Sequence, residues 1–147
     1  MQTRYERSTA SSMTQPNTLY SIVIPVYNTT SVLATLAARV DKVFAELPTA
    51  DYEIIFVDDS SPNPETWPAI QALARDYPKI KAIQLTRNFG QHAATICGLT
   101  HARGEYVINM DDDLEHLPES IPDLMAEQHH DVVIAQFEQP THRLYRR

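Results

Sequence analysis

The stretch YSIVIPVYNTTSVLATLAARVDKVFAELP, residues 20–48, decides the fold because it holds one strand followed by one amphipathic helix. Its first part, Tyr20–Val26, is a short apolar run rich in β-branched side chains, which is typical of a buried strand. Apolar residues then recur at helical spacing from Leu33 to Leu47, and Pro48 ends the pattern. The polar residues 28–31 lie between the two and are predicted to supply the N-cap of the helix.

The same strand-then-helix plan recurs along the chain. Further strands are predicted at Tyr52–Val57, Ile80–Leu85, Glu105–Met110 and Asp131–Phe137. Further helices are predicted after an Asn63 N-cap with Pro64 at the first helical position, over Gly90–Arg103 with Gly104 at C′, and over Pro118–His129. Strands that alternate with helices predict a three-layer α/β/α fold around a mostly parallel sheet with right-handed crossovers.

Length and composition predict one domain. The chain has 147 residues, of which 43% are hydrophobic, and such a chain buries enough surface for a core. Residues 1–18 are polar and are predicted to be a disordered leader without a secretory signal, so the domain is expected over residues 19–147. The apolar runs fall short of the ~20 residues that cross a bilayer. One cysteine, Cys97, allows no internal disulfide and is expected in the core. We therefore expect a cytoplasmic protein.

The acidic charge is concentrated in one region. The formal net charge is −7, and residues 105–131 hold nine acidic residues and no Lys or Arg. The pattern predicts either a bound cation or a solvated acidic helix face, and it excludes a basic footprint for duplex nucleic acid. With three glycines, the chain has no G-x-G-x-x-G dinucleotide loop. The six histidines show no convincing metal-ligand spacing.

Polar residues follow each of the first four predicted strands. They are Tyr27 and Asn28, Asp58 to Ser61, Thr86 to Asn88, and Asp111 to Asp113. Ligands of parallel sheets bind outside the carboxyl ends of the strands, near the point where the strand order reverses. The sequence therefore predicts that four loops form one binding site at this edge.

The triplet Asp111-Asp112-Asp113 is the sharpest of these features. Two carboxylates that leave a strand two residues apart point the same way and can share a hard cation. Mg²⁺ or Mn²⁺ bound in this manner keeps positions open for phosphate oxygens, so a metal-bridged diphosphate is the expected ligand. Glu115 is a candidate third metal ligand. The alternative is an acidic loop that stabilises the N-terminus of the next helix.

The other candidate residues each have a structural alternative. Asp58 and Asp59 can bind a nucleobase and ribose, or can cap the following turn. Tyr27 can pack against a base or belong to the core. Asn28 can join that site or serve as an N-cap. Arg87 can neutralise a diphosphate or form a surface ion pair.

Taken in order, these segments resemble the family 2 inverting glycosyltransferases of GT-A fold. The matching stretches are SIVIPVYN at residues 21–28, IIFVDDSS at 54–61, LTRNFGQHAA at 85–94 and GEYVINMDDDLEHLPESIPDL at 104–124. The last two are most similar to the polyprenyl-phosphate sugar transferases, the dolichol- and undecaprenyl-phosphate branch. Glu115 stands where that branch often has Gln, and Leu117 replaces a common Pro. The resemblance covers about residues 19–137.

The resemblance implies a role for each matching residue. Pro25, Tyr27 and Asn28 would line the base pocket, and Asp58 and Asp59 would bind base and ribose. Asp111 and Asp113 would be the catalytic D-x-D pair that holds Mg²⁺ or Mn²⁺ together with Glu115. Asp112 and Arg87 are the remaining expected donor contacts.

The resemblance also implies an activity in the cell envelope. A sugar would pass with inversion from a UDP- or GDP-sugar to a lipid-phosphate acceptor, which places the protein at the cytoplasmic face of the membrane. The family's catalytic domain continues past the fifth strand, so residues 19–147 are expected to be its donor-binding half, with membrane-surface contact through the missing part. The open sheet edge favours a homo-oligomer. The alternatives are a non-catalytic nucleotide-binding fragment and, ranked lower, a haloacid-dehalogenase-type phosphotransferase.

Overall fold

A computed structural model describes residues 18–136 of the chain. Four strands alternate with helices in this part: β1 (Thr18–Val26), α1 (Leu33–Ala45), β2 (Ala50–Asp58), α2 (Thr66–Asp76), β3 (Ile80–Gln84), α3 (Gln91–His101), β4 (Tyr106–Asn109) and, after a 3₁₀ turn at Pro118–Ser120, α4 (Ile121–Ala126). The prediction of alternating strands and helices is confirmed for these elements.

The sheet is parallel and has the strand order β3-β2-β1-β4. The chain moves outward from β1 to β3, then returns to place β4 on the other side of β1. The strand order therefore reverses between β1 and β4. In open α/β sheets a ligand crevice forms at such a switch point.

Alternating side chains of the strands form two separate cores, one on each face of the sheet. Ile22, Ile24 and Phe56 point to the larger core, which α1, α2 and α4 cover. Val23 and Val57 point to a smaller core that α3 covers. Both faces of β1 and β2 are buried, which explains why these strands read as continuous apolar runs. The three-layer α/β/α prediction is confirmed.

Three predicted roles of single residues at helix ends are wrong. Helix α1 begins at Leu33 after Val32, without a side-chain cap from residues 28–31. Asn63 accepts a hydrogen bond from the Glu65 N–H at 3.0 Å, but α2 begins only at Thr66. Gly104 does not sit at a left-handed C′ position. A Cβ there would lie 2.6 Å from the Ser21 nitrogen, so glycine is required for this close approach to β1.

The C-terminal part of the described residues differs most from the prediction. Helix α4 ends at Ala126, whereas the sequence predicts a helix over Pro118–His129. Residues 126–136 have no buried side chain that would stabilise a further helical turn. The predicted strand Asp131–Phe137 is not formed over residues 131–136, and Phe137 lies outside the described residues. Residues 131–135 and β4 line the same open cavity of about 720 Å³, and this segment pairs with none of the four described strands. Among the described residues, no helix combines the length and apolar character needed to cross a membrane.

Candidate functional site

An open cavity of about 330 Å³ lies at the reversal of strand order, between the ends of β1 and β4. Segments that follow all four strands contribute to its wall, as the sequence predicts. The lining residues are Pro25, Val26, Tyr27, Asp59, Asn88, Gly90, Gln91, Asp111, Asp112 and Asp113. Of the predicted site residues, the structure brings together Pro25, Tyr27, Asp59 and the acidic triplet.

The loops around the cavity contain unusual backbone geometry. Among the described residues, the non-glycine residues with positive φ are Asn28 (61°), Ser60 (55°) and Leu114 (64°). Each lies in a loop that follows a strand at this edge of the sheet. Such conformations are disfavoured for residues with a side chain and are often found at functional sites.

The acidic triplet directs its carboxylates to different partners. Asp111 Oδ1 accepts a hydrogen bond from Gln91 Nε2 at 2.8 Å, and its Oδ2 lies 3.5 Å from His116 Nδ1. Asp113 Oδ1 accepts the N–H of Glu115 at 2.9 Å. The next helical residue is Pro118, five residues beyond Asp113, so these bonds do not cap a helix. The alternative in which this loop caps the next helix therefore has no support from these bonds.

Asp112 ties the acidic loop to the end of β1. Its Oδ2 accepts the backbone N–H of Tyr27 at 3.3 Å. Burial raises the pKa of Asp112 above its usual value, hydrogen bonds from Thr29 and Tyr27 reduce that rise, and the charge of Asp113 adds to it. Asp112 therefore positions two loops of the cavity against each other.

Asp59 is buried and holds the loop that precedes α3. Its Oδ1 accepts the N–H of Phe89 and its Oδ2 the N–H of Gly90, both at 2.8 Å. Gly90 has φ of 92°, a conformation in which any side chain is strained. The carboxylate thus lies in the cavity wall and fixes the start of α3.

Asp58 and Asn28 lie beside the cavity, outside its lining. Asp58 is fully buried and accepts hydrogen bonds from Ser61 N at 3.0 Å, from Ser61 Oγ at 2.5 Å and from Gln84 Nε2 at 2.9 Å. Asn28 Oδ1 accepts the N–H of Asn63 at 3.0 Å. In this structure both side chains stabilise loops. For Asp58 this corresponds to the alternative in which it caps the turn after β2.

Tyr27, Arg87 and Glu115 are exposed at the rim. Tyr27 is 48% exposed, which excludes a core role and leaves its ring open to the cavity. The Arg87 guanidinium carbon lies 4.5 Å from the centre of the Phe89 ring, outside the cavity lining. Glu115 also lies outside that lining. A role for either residue in ligand binding would require a side-chain movement.

The donor atoms of the cavity suit a hard divalent cation. Asp111, Asp112 and Asp113 line it together with Asp59, and none of the lining residues within the described range 18–136 is Lys or Arg. Mg²⁺ and Mn²⁺ prefer such oxygen ligands. Asp111 accepts a hydrogen bond from Gln91 Nε2 with one oxygen, and Asp113 accepts one from Glu115 N with one oxygen, so the chemistry of the residues fits the expected ion.

The structure adds residues that the sequence reasoning missed. Gln91 lines the cavity and contacts Asp111, although a glutamine after a glycine gives no distinctive signal in a sequence. Away from the cavity, a turn after α4 brings one donor atom each of Glu127, His129 and His130 within 4.8 Å of one another. The spacing of these residues gives no signal for the grouping when residues 118–129 are predicted to be helical.

One protein-family model and several curated relatives match this chain. The protein-family model described as Glycosyl transferase family 2 matches residues 21–145. An undecaprenyl-phosphate 4-deoxy-4-formamido-L-arabinose transferase from Erwinia tasmaniensis is 43% identical over 115 residues, covering 77% of this chain and 35% of that protein. A protein of the same name from Pseudomonas aeruginosa is 42% identical over 120 residues, covering 80% of this chain and 35% of its own length. The chain thus spans about a third of these curated relatives.

Solved structures show a similar fold. A mannosyltransferase from Pyrobaculum calidifontis in complex with GDP-Man and Mn²⁺ aligns with a TM-score of 0.56 at 22% identity, over 66% of this chain and 28% of that chain. S. aureus TarS in complex with UDP aligns with a TM-score of 0.53 at 24% identity, over 76% of this chain and 32% of that chain. At such identities the likeness concerns the fold.

Proposed function

The chain belongs to glycosyl transferase family 2 and has the GT-A fold, and from this premise we propose that it binds a nucleotide-diphospho-sugar for transfer to a polyprenyl phosphate. The proposed donor is a UDP- or GDP-sugar, and the transfer inverts the anomeric carbon. The acceptor, a lipid phosphate, would place the enzyme at the cytoplasmic face of a membrane. The observation that carries this proposal is the cavity at the switch point, where Asp111, Asp112 and Asp113 face Asp59 and Gln91.

The acidic loop would hold the diphosphate end of the donor. Asp111 and Asp113 would be the protein ligands of Mg²⁺ or Mn²⁺, with Glu115 joining after a side-chain movement. When bound, the cation supplies charge stabilisation for the departing nucleoside diphosphate. Asp112 keeps the loop against β1 through the N–H of Tyr27.

The loop after β1 would hold the nucleoside end. Pro25 and Tyr27 line the cavity, and the half-exposed Tyr27 ring offers a face for a base. The loops around it are held by hydrogen bonds to the side chains of Asn28, Asp58 and Asp59. Of these three residues, Asp59 lines the cavity. Arg87 at the rim would turn toward the diphosphate.

The chemistry requires little proton transfer from the protein. A lipid phosphate is already anionic near neutral pH, so its oxygen can attack without a strong general base. The chain's residues would therefore act by orienting the donor and by holding charge near the leaving diphosphate. This fits a cavity whose conspicuous side chains are carboxylates and amides.

A thermal-shift titration tests the donor site. UDP, GDP and their sugars are titrated with and without Mn²⁺ against the wild type, Asp111→Asn, Asp113→Asn and the control Asp123→Asn, an exposed carboxylate of α4. A ligand at 100 times its Kd stabilises the folded state by about 2.7 kcal/mol. We expect a metal-dependent shift in wild type and control, and its loss in both cavity variants. Equal shifts in all four proteins, or none in any, would overturn the proposal.

A transfer assay separates an enzyme from a binding module. A labelled donor is incubated with a polyprenyl phosphate, Mn²⁺ and the chain, and lipid-linked sugar is extracted and counted. Donor binding without transfer would support the non-catalytic alternative for this chain. The phosphotransferase alternative loses support, because the acidic triplet follows the fourth strand and the family match covers residues 21–145.

A further inference from the structure

We propose that Gln91 is a positioning residue for Asp111, and that Asp59 sets Gln91 in place through the start of α3. The inference rests on the proposed function, in which Asp111 is a cation ligand. It assigns a role to a residue that the acidic motif does not contain. It also links the carboxylates after β2 and β4 through one helix.

The first observation is the contact between the two side chains. Gln91 Nε2 donates a hydrogen bond of 2.8 Å to Asp111 Oδ1, and both residues line the same cavity. The Asp111 side chain remains 36% exposed, and its other oxygen lies 3.5 Å from His116 Nδ1. The amide therefore fixes the orientation of the carboxylate without covering it.

The second observation is how the backbone brings Gln91 to this place. Gln91 is the first residue of α3, and the preceding Gly90 has φ of 92°. Asp59 binds the N–H groups of Phe89 and Gly90 with its two oxygens, both at 2.8 Å. Because Asp59 is 3% exposed and leaves β2, the start of α3 is fastened to the sheet.

The physical consequence concerns the affinity of the cation site. A ligating carboxylate that is held by a neighbouring donor loses less rotamer freedom when the ion binds. Removing such an outer partner typically weakens metal binding 10- to 100-fold. Gln91 is itself exposed, so its replacement should leave the core intact.

The test measures Mn²⁺ binding by the electron paramagnetic resonance signal of free Mn²⁺, with UDP or GDP present. The variant Gln91→Met keeps the length of the side chain and removes the donor. The matched control is His92→Ala, at the next residue of α3, which is also exposed. Nucleotide affinity in EDTA and the melting temperature are measured in parallel, because a merely structural defect would change both.

We expect Gln91→Met to bind Mn²⁺ about tenfold more weakly than the wild type, with nucleotide affinity in EDTA and melting temperature unchanged. His92→Ala should match the wild type. An unchanged Mn²⁺ affinity in Gln91→Met, while Asp111→Asn loses binding, would overturn this inference and leave the proposed function intact. Failure of the wild type to bind Mn²⁺ with either nucleotide would instead overturn the proposed function.

Discussion

Replacing Glu53 with glutamine should remove one pH-dependent contribution to the stability of this sheet. Glu53 lies within β2 and is 2% exposed, far from the cavity. Its carboxylate accepts hydrogen bonds from Ser21 Oγ at 2.8 Å and from Arg103 N at 2.7 Å, and it pairs with Lys81 Nζ at 2.8 Å. It therefore joins β1, β3 and the segment after α3 through one buried charge.

The magnitude follows from the pKa of this carboxyl. Burial alone raises the pKa of Glu53, but hydrogen bonds from Lys81, Arg103 and Ser21 outweigh it and lower the pKa from 4.5 to about 2. A folded-state pKa below the unfolded value means that the stabilisation is present above pH 4.5. It is lost as pH falls toward 2. The shift corresponds to about 3 kcal/mol.

Urea denaturation between pH 7 and pH 2 measures this contribution. Glu53→Gln should be about 3 kcal/mol less stable than the wild type at pH 7, and the gap should close between pH 4.5 and 2. The control Glu46→Gln replaces an exposed glutamate at the end of α1 and should follow the wild type. A gap that stays constant from pH 7 to 2 would refute the reasoning, since it would show that the charge of Glu53 is not what stabilises the fold.

Further substitutions test the packing around the site. Gly98→Ala should lower stability by about 1–3 kcal/mol, because the new Cβ would lie 2.3 Å from Val23 Cγ1, and an unchanged urea midpoint would contradict this. Its control is Leu99→Ala, at an exposed position of the same helix. Phe56→Ala should cost about 3–5 kcal/mol, measured in the same way, because Phe56 is fully buried in the larger core. Gly90→Ala should raise hydrogen exchange at the start of α3, because its φ of 92° is strained for alanine; equal protection would argue against this strain.

The cavity could be predicted from the sequence to the extent that it depends on strand ends. Asp111 to Asp113 and Tyr27 follow apolar strands, and a parallel sheet places the ends of such strands at one edge. The details depended on contacts between distant residues. Whether Asp58 faces a ligand or a loop was decided by Ser61 and Gln84, and the latter is 26 residues away along the chain. The Gln91–Asp111 contact depends on how α3 lies across β1 and β2.

In the C-terminal part, the local sequence pattern was not enough to predict the secondary structure. Residues 131–136 have the composition of a strand, yet they form none. A strand is stabilised by hydrogen bonds to a neighbour, and these residues pair with none of the described strands.

The amino-acid sequence by itself determined the alternation of strands and helices, the burial of β1 and β2 on both faces, and the acidic loop after β4. These features follow from hydrophobic periodicity and from side-chain chemistry, which are local. Only the tertiary structure decided the order β3-β2-β1-β4, the coupling of Asp59 to Gln91 and Asp111, and the burial of Glu53 among three segments. These depend on free energies of contact between residues far apart in the chain, which no local pattern encodes.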